Sequence, residues 1–314
     1  MWTSSAPAQT RHMTSLLTTS LTTSLTAATP SKLANSDPPA PVARPGREAA
    51  IYIGLVLTMV LGIALTMSSF GILAPQLSMV TPLIAVGLIT LFRTPRGARR
   101  ALWGTFGLRH AGWRSWPAAF ALSVVAAFAV PFGVADLLGS AHFIDWSSIN
   151  VPKAALSLVV MLAILTIMAL TEEIGWRSYL LPRMQVLLPR RRAAVAVGLV
   201  HGLFHLPLIL FTSTYDNVGS RWIVAPMVLL SVTSAGVFYA WLKDRSRSVW
   251  PVAFAHATVN VFIDGSGLIV ILTPLALAYT ATESGLVTFA ATTTIAALLL
   301  VRGRTWGAAQ TATP

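Results

Sequence analysis

A series of about eight apolar runs constrains this chain more tightly than any other feature of it. They lie at Ala50–Phe70, Ile72–Phe92, Trp116–Leu138, Ala154–Leu181, Ala193–Phe211, Ile223–Leu242, Trp250–Val270 and Ile271–Val301. Each is near or above the roughly 20 residues needed to cross a bilayer core as a helix. In hydrocarbon the backbone must satisfy its own polar groups, so runs of this length fold as helices. The expected class is all-α: a polytopic membrane protein whose transmembrane helices form a bundle. Pro75 and Pro82 predict a kink or a late start in the second run. Asp264-Gly265 reads as a helix break in the seventh, and the boundary with the eighth, near Leu272 to Pro274, is weakly marked.

Composition agrees. The chain is 55% hydrophobic and only 10% charged, against about 25% charged in soluble domains. It has no cysteine, which excludes a disulfide framework, a thiolate metal site and a cysteine nucleophile. The net charge of +12 does not mark a nucleic-acid partner, because its basic residues follow the topology. With an inside N-terminus, only Lys153 and Arg221 of the 22 Lys and Arg residues fall on the outer side. Such a split follows the positive-inside rule and predicts that both termini are cytoplasmic. Low Lys with high Ala and Arg suggests a bacterial cell membrane as the setting.

Residues 1–48 are rich in Ser, Thr, Ala and Pro and read as a disordered cytoplasmic tail. Residues 49–302 form the membrane domain, and 303–314 read as a short disordered tail.

Chemistry concentrates in three of the runs. Leu170-Thr171-Glu172-Glu173-Ile174-Gly175-Trp176-Arg177 places three charges in the fourth. Each costs roughly 2.5–3.5 kcal/mol near a helix centre on insertion scales. Glu173 and Arg177 are four residues apart, acid first, the favourable order for an ion pair on one helix face. Glu172 sits about 100° round the helix and has no such partner. Glu173 and Arg177 therefore read as structural support, and Glu172 as the chemical residue. His201 and His205 share a face of the fifth run, and His256 and Asn260 share a face of the seventh. All stand at comparable depth in the half nearer the basic loops.

A carboxylate with imidazoles can act as general base on a water, and imidazole or amide N–H groups can stabilise an oxyanion. Glu and His side chains can instead hold a divalent metal, zinc first, through Glu172, His205 and His256, with His201 as a less favoured ligand. Both routes lead to amide hydrolysis. There is no His-Glu-x-x-His, no phosphate-binding glycine loop and no Gly-x-Ser-x-Gly elbow. Asp264 lies two turns beyond His256 on roughly the same face, and Glu283 receives no role.

Together, Glu172-Glu173-x-x-x-Arg177, the run Gly198-Leu-Val-His-Gly-Leu-Phe-His205-Leu-Pro207, and His256-x-x-x-Asn260 resemble the three motifs of one family. It is the intramembrane protease family of the type II CAAX prenyl endopeptidases and their bacterial relatives, the bacteriocin-processing and immunity-associated proteins. Phe106-Gly-Leu-Arg109 before the third run is also similar to bacterial members. The resemblance implies an α-helical bundle with a conical cavity open to the cytoplasm, and cleavage of a membrane-associated peptide or protein. It implies that Glu172 and His205 activate water, that His256 and Asn260 stabilise the oxyanion, and that Glu173 and Arg177 hold the site together. The chain departs from the family at His201, where the second motif usually carries an aromatic. His201 either fills that aromatic's space or adds a metal ligand. Two other readings compete: a non-catalytic immunity or scaffold protein, and a proton-coupled transporter, for which no inverted repeat or paired broken helices are evident.

Overall fold

The computed structural model describes residues 44–68, 73–145, 147, 149–215, 219–265, 270–273, 279–303 and 306. Residues 1–43, most of the expected N-terminal tail, lie outside the described residues. Helix α1 runs from Pro45 to Thr66. It starts before its apolar run because Pro45 suits a first helical turn, where no N–H is needed. Residues 45–48, read from sequence as tail, are therefore helical, and Glu48 there accepts a bond from Arg183 Nε at 2.7 Å.

The helices that follow are α2 (Leu73–Phe92), α3 (Arg96–Gly104), α4 (Trp113–Leu137), α5 (Val151–Leu187), α6 (Arg190–Phe211), α7 (Arg221–Ser246), α8 (Trp250–Asp264) and α9 (Leu286–Arg302). Among the described residues, α1, α2, α4, α5, α6 and α7 are long and apolar enough to cross a membrane. Helices α8 and α9 are apolar but shorter. The last two expected spans are thus cut back. Helix α8 stops at Asp264, where Gly265 closes it with an N–H bond to Val261 O at 2.8 Å. Val270–Leu272 forms strand β2, antiparallel to β1 (Ala141–Phe143) with Ala141 opposite Leu272. Trp306 is buried and donates its indole N–H to Leu299 O at 2.9 Å, so the chain still packs at a position read as tail.

Glycines set how closely the central helices meet. A Cβ on Gly236 of α7 would stand 2.5 Å from Gly198 Cα of α6, and one on Gly198 would stand 2.5 Å from Thr233 O. Small residues at such a crossing let two membrane helices touch backbone to backbone. Gly175 does the same for α5: a Cβ there would run into the Tyr52 hydroxyl of α1 and Pro82 of α2. The loop after α3 is drawn under the bundle. Phe106 O accepts from Ser178 Oγ at 2.9 Å and from Lys243 Nζ at 2.6 Å. Gly107 follows with φ +76°, where a side chain would be strained and would meet Arg247 O.

Candidate active site

Helix α5 is 37 residues long and changes character near its C-terminal third. From Ile174 to Leu180 it winds as a π-helix, and every residue of that stretch is buried. Such wide turns in α-helices often mark functional sites. Glu172 and Glu173 enter it, and Arg177 lies inside it. All three are at most 3% exposed.

The two carboxylates take separate partners. Arg177 Nη1 donates to Glu173 Oε1 at 2.9 Å, and His256 Nδ1 of α8 bonds the same oxygen at 2.9 Å. Glu173 thus joins α5 to α8 as well as neutralising Arg177. Glu172 Oε2 accepts from Trp176 Nε1 at 3.2 Å and is bonded by His201 Nε2 at 3.0 Å. Glu172 has partners after all, one of them four residues along its own helix.

Arg177 fixes the protonation of His201. Its Nη1 lies 3.2 Å from His201 Nδ1. A guanidinium only donates, so Nδ1 accepts and the ring proton sits on Nε2, directed at Glu172. Trp176 stacks on the His201 ring with centroids 5.1 Å apart, and Tyr239 of α7 stacks on His256 at 5.3 Å. The Arg177 guanidinium lies 5.0 Å from the Tyr239 ring centre, within cation–π range.

Of the residues singled out from sequence, Glu172, Glu173, Arg177, His201 and His256 are in direct contact. His201 occupies the place beside Glu172 that sequence reasoning gave to His205. His205 lies one turn further along α6, its ring centre 5.4 Å from that of His201, and its Nδ1 is 3.5 Å from Glu283 Oε1. Asn260 is half-buried one turn beyond His256. The Asp264 side chain lies outside the described residues. Trp176 and Tyr239 were missed. Trp176 carried a usable signal, since it stands at i+4 from Glu172, whereas nothing local distinguishes Tyr239 from other membrane aromatics.

Glu172, His201 and His256 each offer a ligand atom within 4.8 Å of the others, a buried group that can hold a metal ion. This replaces the Glu172, His205 and His256 set expected from sequence. Carboxylate oxygen and imidazole nitrogen are donors that divalent metals take. The one conflict is at His201, where both ring nitrogens are already engaged, so ligation there displaces a hydrogen bond to Glu172 or Arg177. A separate cavity of about 600 Å³ reaches Arg177 from the end of the bundle carrying Arg190, Arg245 and Arg247.

Fold and site together define a polytopic helical membrane protein with a buried carboxylate–histidine centre. Residues 154–262 match the family model described as Type II CAAX prenyl endopeptidase Rce1-like, which supports the resemblance to that family. The matched segment contains Glu172, Glu173, Arg177, His201, His205, His256 and Asn260. The chain is also similar to a CAAX prenyl protease 2 of Methanococcus maripaludis, 28% identical over 152 residues. That alignment covers 46% of this chain and 51% of the relative, so the chain spans about half the length of the curated relative it matches.

Proposed function

We propose that this protein is an intramembrane endopeptidase that hydrolyses a peptide bond of a membrane-associated peptide or protein. Glu172 carries the reading. It is a buried carboxylate whose Oε2 is held by Trp176 and His201, which leaves Oε1 as the oxygen to take a proton from water. A base held this way loses little orientational freedom when it acts. Glu173 bonds His256 through Nδ1, which fixes the ring and leaves Nε2 for the substrate. His205 and Asn260, both only part-buried, complete the polar wall, His205 beside the water and Asn260 donating to the oxyanion. Arg177 with Glu173 holds α5, α6 and α8 in register.

The basic ends of the helices favour a cytoplasmic opening, with both termini on that side. The family match and the name of the archaeal relative support cleavage near the C-terminus of a lipidated substrate. Purified protein in detergent is expected to cleave peptides of a membrane-anchored library, and Glu172→Ala to abolish cleavage while eluting as folded protein. Full activity in that variant removes the reading.

The cluster of Glu172, His201 and His256 favours one second reading, a divalent-metal hydrolase. A bound ion would be held by these three residues and would supply an activated water. Metal content of the purified protein, and cleavage before and after chelation, separate the two. Activity that survives removal of all metal supports the carboxylate reading.

A further inference from the structure

Each histidine of the site has a carboxylate beside it, and the third carboxylate comes from outside the expected motifs. His201 is paired with Glu172 and His256 with Glu173. His205 is paired with Glu283, Nδ1 to Oε1 3.5 Å. Glu283 lies far from the motifs in sequence, in the turn that precedes α9.

That turn is built as part of the protein interior. Ala281, Thr282 and Ser284 around Glu283 are at most 6% exposed. The Tyr279 hydroxyl accepts from Ser220 N–H at 2.9 Å, which ties the turn to the start of α7. Gly285 N–H bonds Thr282 O at 2.8 Å, and Val287 N–H bonds Thr280 O at 3.3 Å. A side chain at Gly285 would collide with the Thr280 carbonyl, so the turn is closed tightly on itself. The His205 and Glu283 side chains are 19% and 22% exposed. An acid that merely solubilised a loop would have no need of buried neighbours on both sides or of an imidazole across from it.

We propose that Glu283 is a positioning residue that holds His205 by Nδ1 and leaves Nε2 for the reacting water or substrate. This deepens the endopeptidase reading and rests on it. Closed from 3.5 Å to hydrogen-bond length, as catalytic contacts often do when substrate binds, a carboxylate on one ring nitrogen fixes the tautomer and the ring plane, so the other nitrogen meets the substrate in one orientation. The other two carboxylates are engaged elsewhere, Glu172 with Trp176 and His201 and Glu173 with Arg177 and His256.

The test uses full-length protein in detergent and one membrane-anchored peptide that the wild type cleaves. Glu283→Gln keeps the shape of the side chain and is expected to lower kcat about tenfold with KM within twofold. The same change in a His205→Gln background, whose residual rate is the baseline, is expected to lower kcat by less than twofold, because the residue it positions is gone. An unchanged kcat, a loss carried by KM alone, or an equal loss in both backgrounds overturns the inference. If the wild type cleaves no peptide faster than Glu172→Ala, the endopeptidase reading fails and takes this inference with it. If the wild type cleaves and Glu283→Gln matches it, this inference fails alone.

Discussion

Helix α5 has two halves that obey opposite rules. From Leu156 to Ile167 one face carries large exposed apolar side chains, Val159, Val160 and Ile164 among them, while Leu158, Met161, Leu162 and Leu165 are part-buried. From Glu172 to Leu181 its side chains are buried, and they include two carboxylates and a guanidinium. In a water-soluble helix this arrangement would be inverted. In lipid it is the stable one, because the outer surface meets hydrocarbon while charges find partners only inside the protein. One helix thus serves as a lipid-facing rod over one length and as the polar centre of the bundle over the other. The π-helical winding begins at Ile174, where the second regime starts.

The sharpest way to break this comparison is to unbalance the buried half. Glu173→Gln leaves Arg177 as a buried charge without its counter-ion, and should cost about 3–5 kcal/mol. The expected result is loss of folded, monodisperse protein in detergent; a variant as stable as wild type would mean that Arg177 is compensated elsewhere. Glu172→Gln changes the neighbouring carboxylate, which has no guanidinium to neutralise. It should leave the melting temperature nearly unchanged and reduce peptide cleavage by about 10³-fold, within the usual range for a general base. If instead both variants unfold, the division between a structural and a chemical carboxylate is wrong.

Gly236→Ala probes the helix crossing behind the site. Its Cβ would meet Gly198 Cα at 2.5 Å and Arg177 Nη2 at 3.2 Å. Overpacking of this kind typically costs about 1–3 kcal/mol, read as a lower melting temperature with a parallel loss of activity. The smallest effect belongs to the outer half. Ile164 is 59% exposed, and Ile164→Ala should change stability by less than about 0.5 kcal/mol, as at exposed positions generally. A large destabilisation there would show that this face is covered by protein instead of lipid.

Much of the site was legible because helix geometry is periodic. The Glu173–Arg177 pair follows from i,i+4 spacing alone and is found at 2.9 Å. The same spacing offered Trp176 to Glu172, but a tryptophan near a span end has an equally good explanation in the aromatic belt. The choice between His201 and His205 was not legible. Both stand on one face of α6, and only the axial offset between α5 and α6 sets which one is level with Glu172. That offset depends on the short connection between Leu187 and Arg190 and on how the two helices pack. Glu283 was unreadable for another reason: it reaches His205 only because the last expected span opens into a strand and a turn before α9.

The sequence by itself determined that this is an all-α membrane protein, since apolar runs of bilayer length have few other ways to satisfy their backbone. It also pointed to company for Glu172, Glu173 and Arg177 among the α6 and α8 histidines, because buried charge in lipid requires partners, and the structure brings His201 and His256 against them. Tertiary structure decided the pairing. Which histidine meets which carboxylate, whether a ring nitrogen remains for a metal, and which residue from a distant turn completes the set all depend on how far one helix slides along another. Helical periodicity fixes the face a residue occupies, but it says nothing about that axial offset.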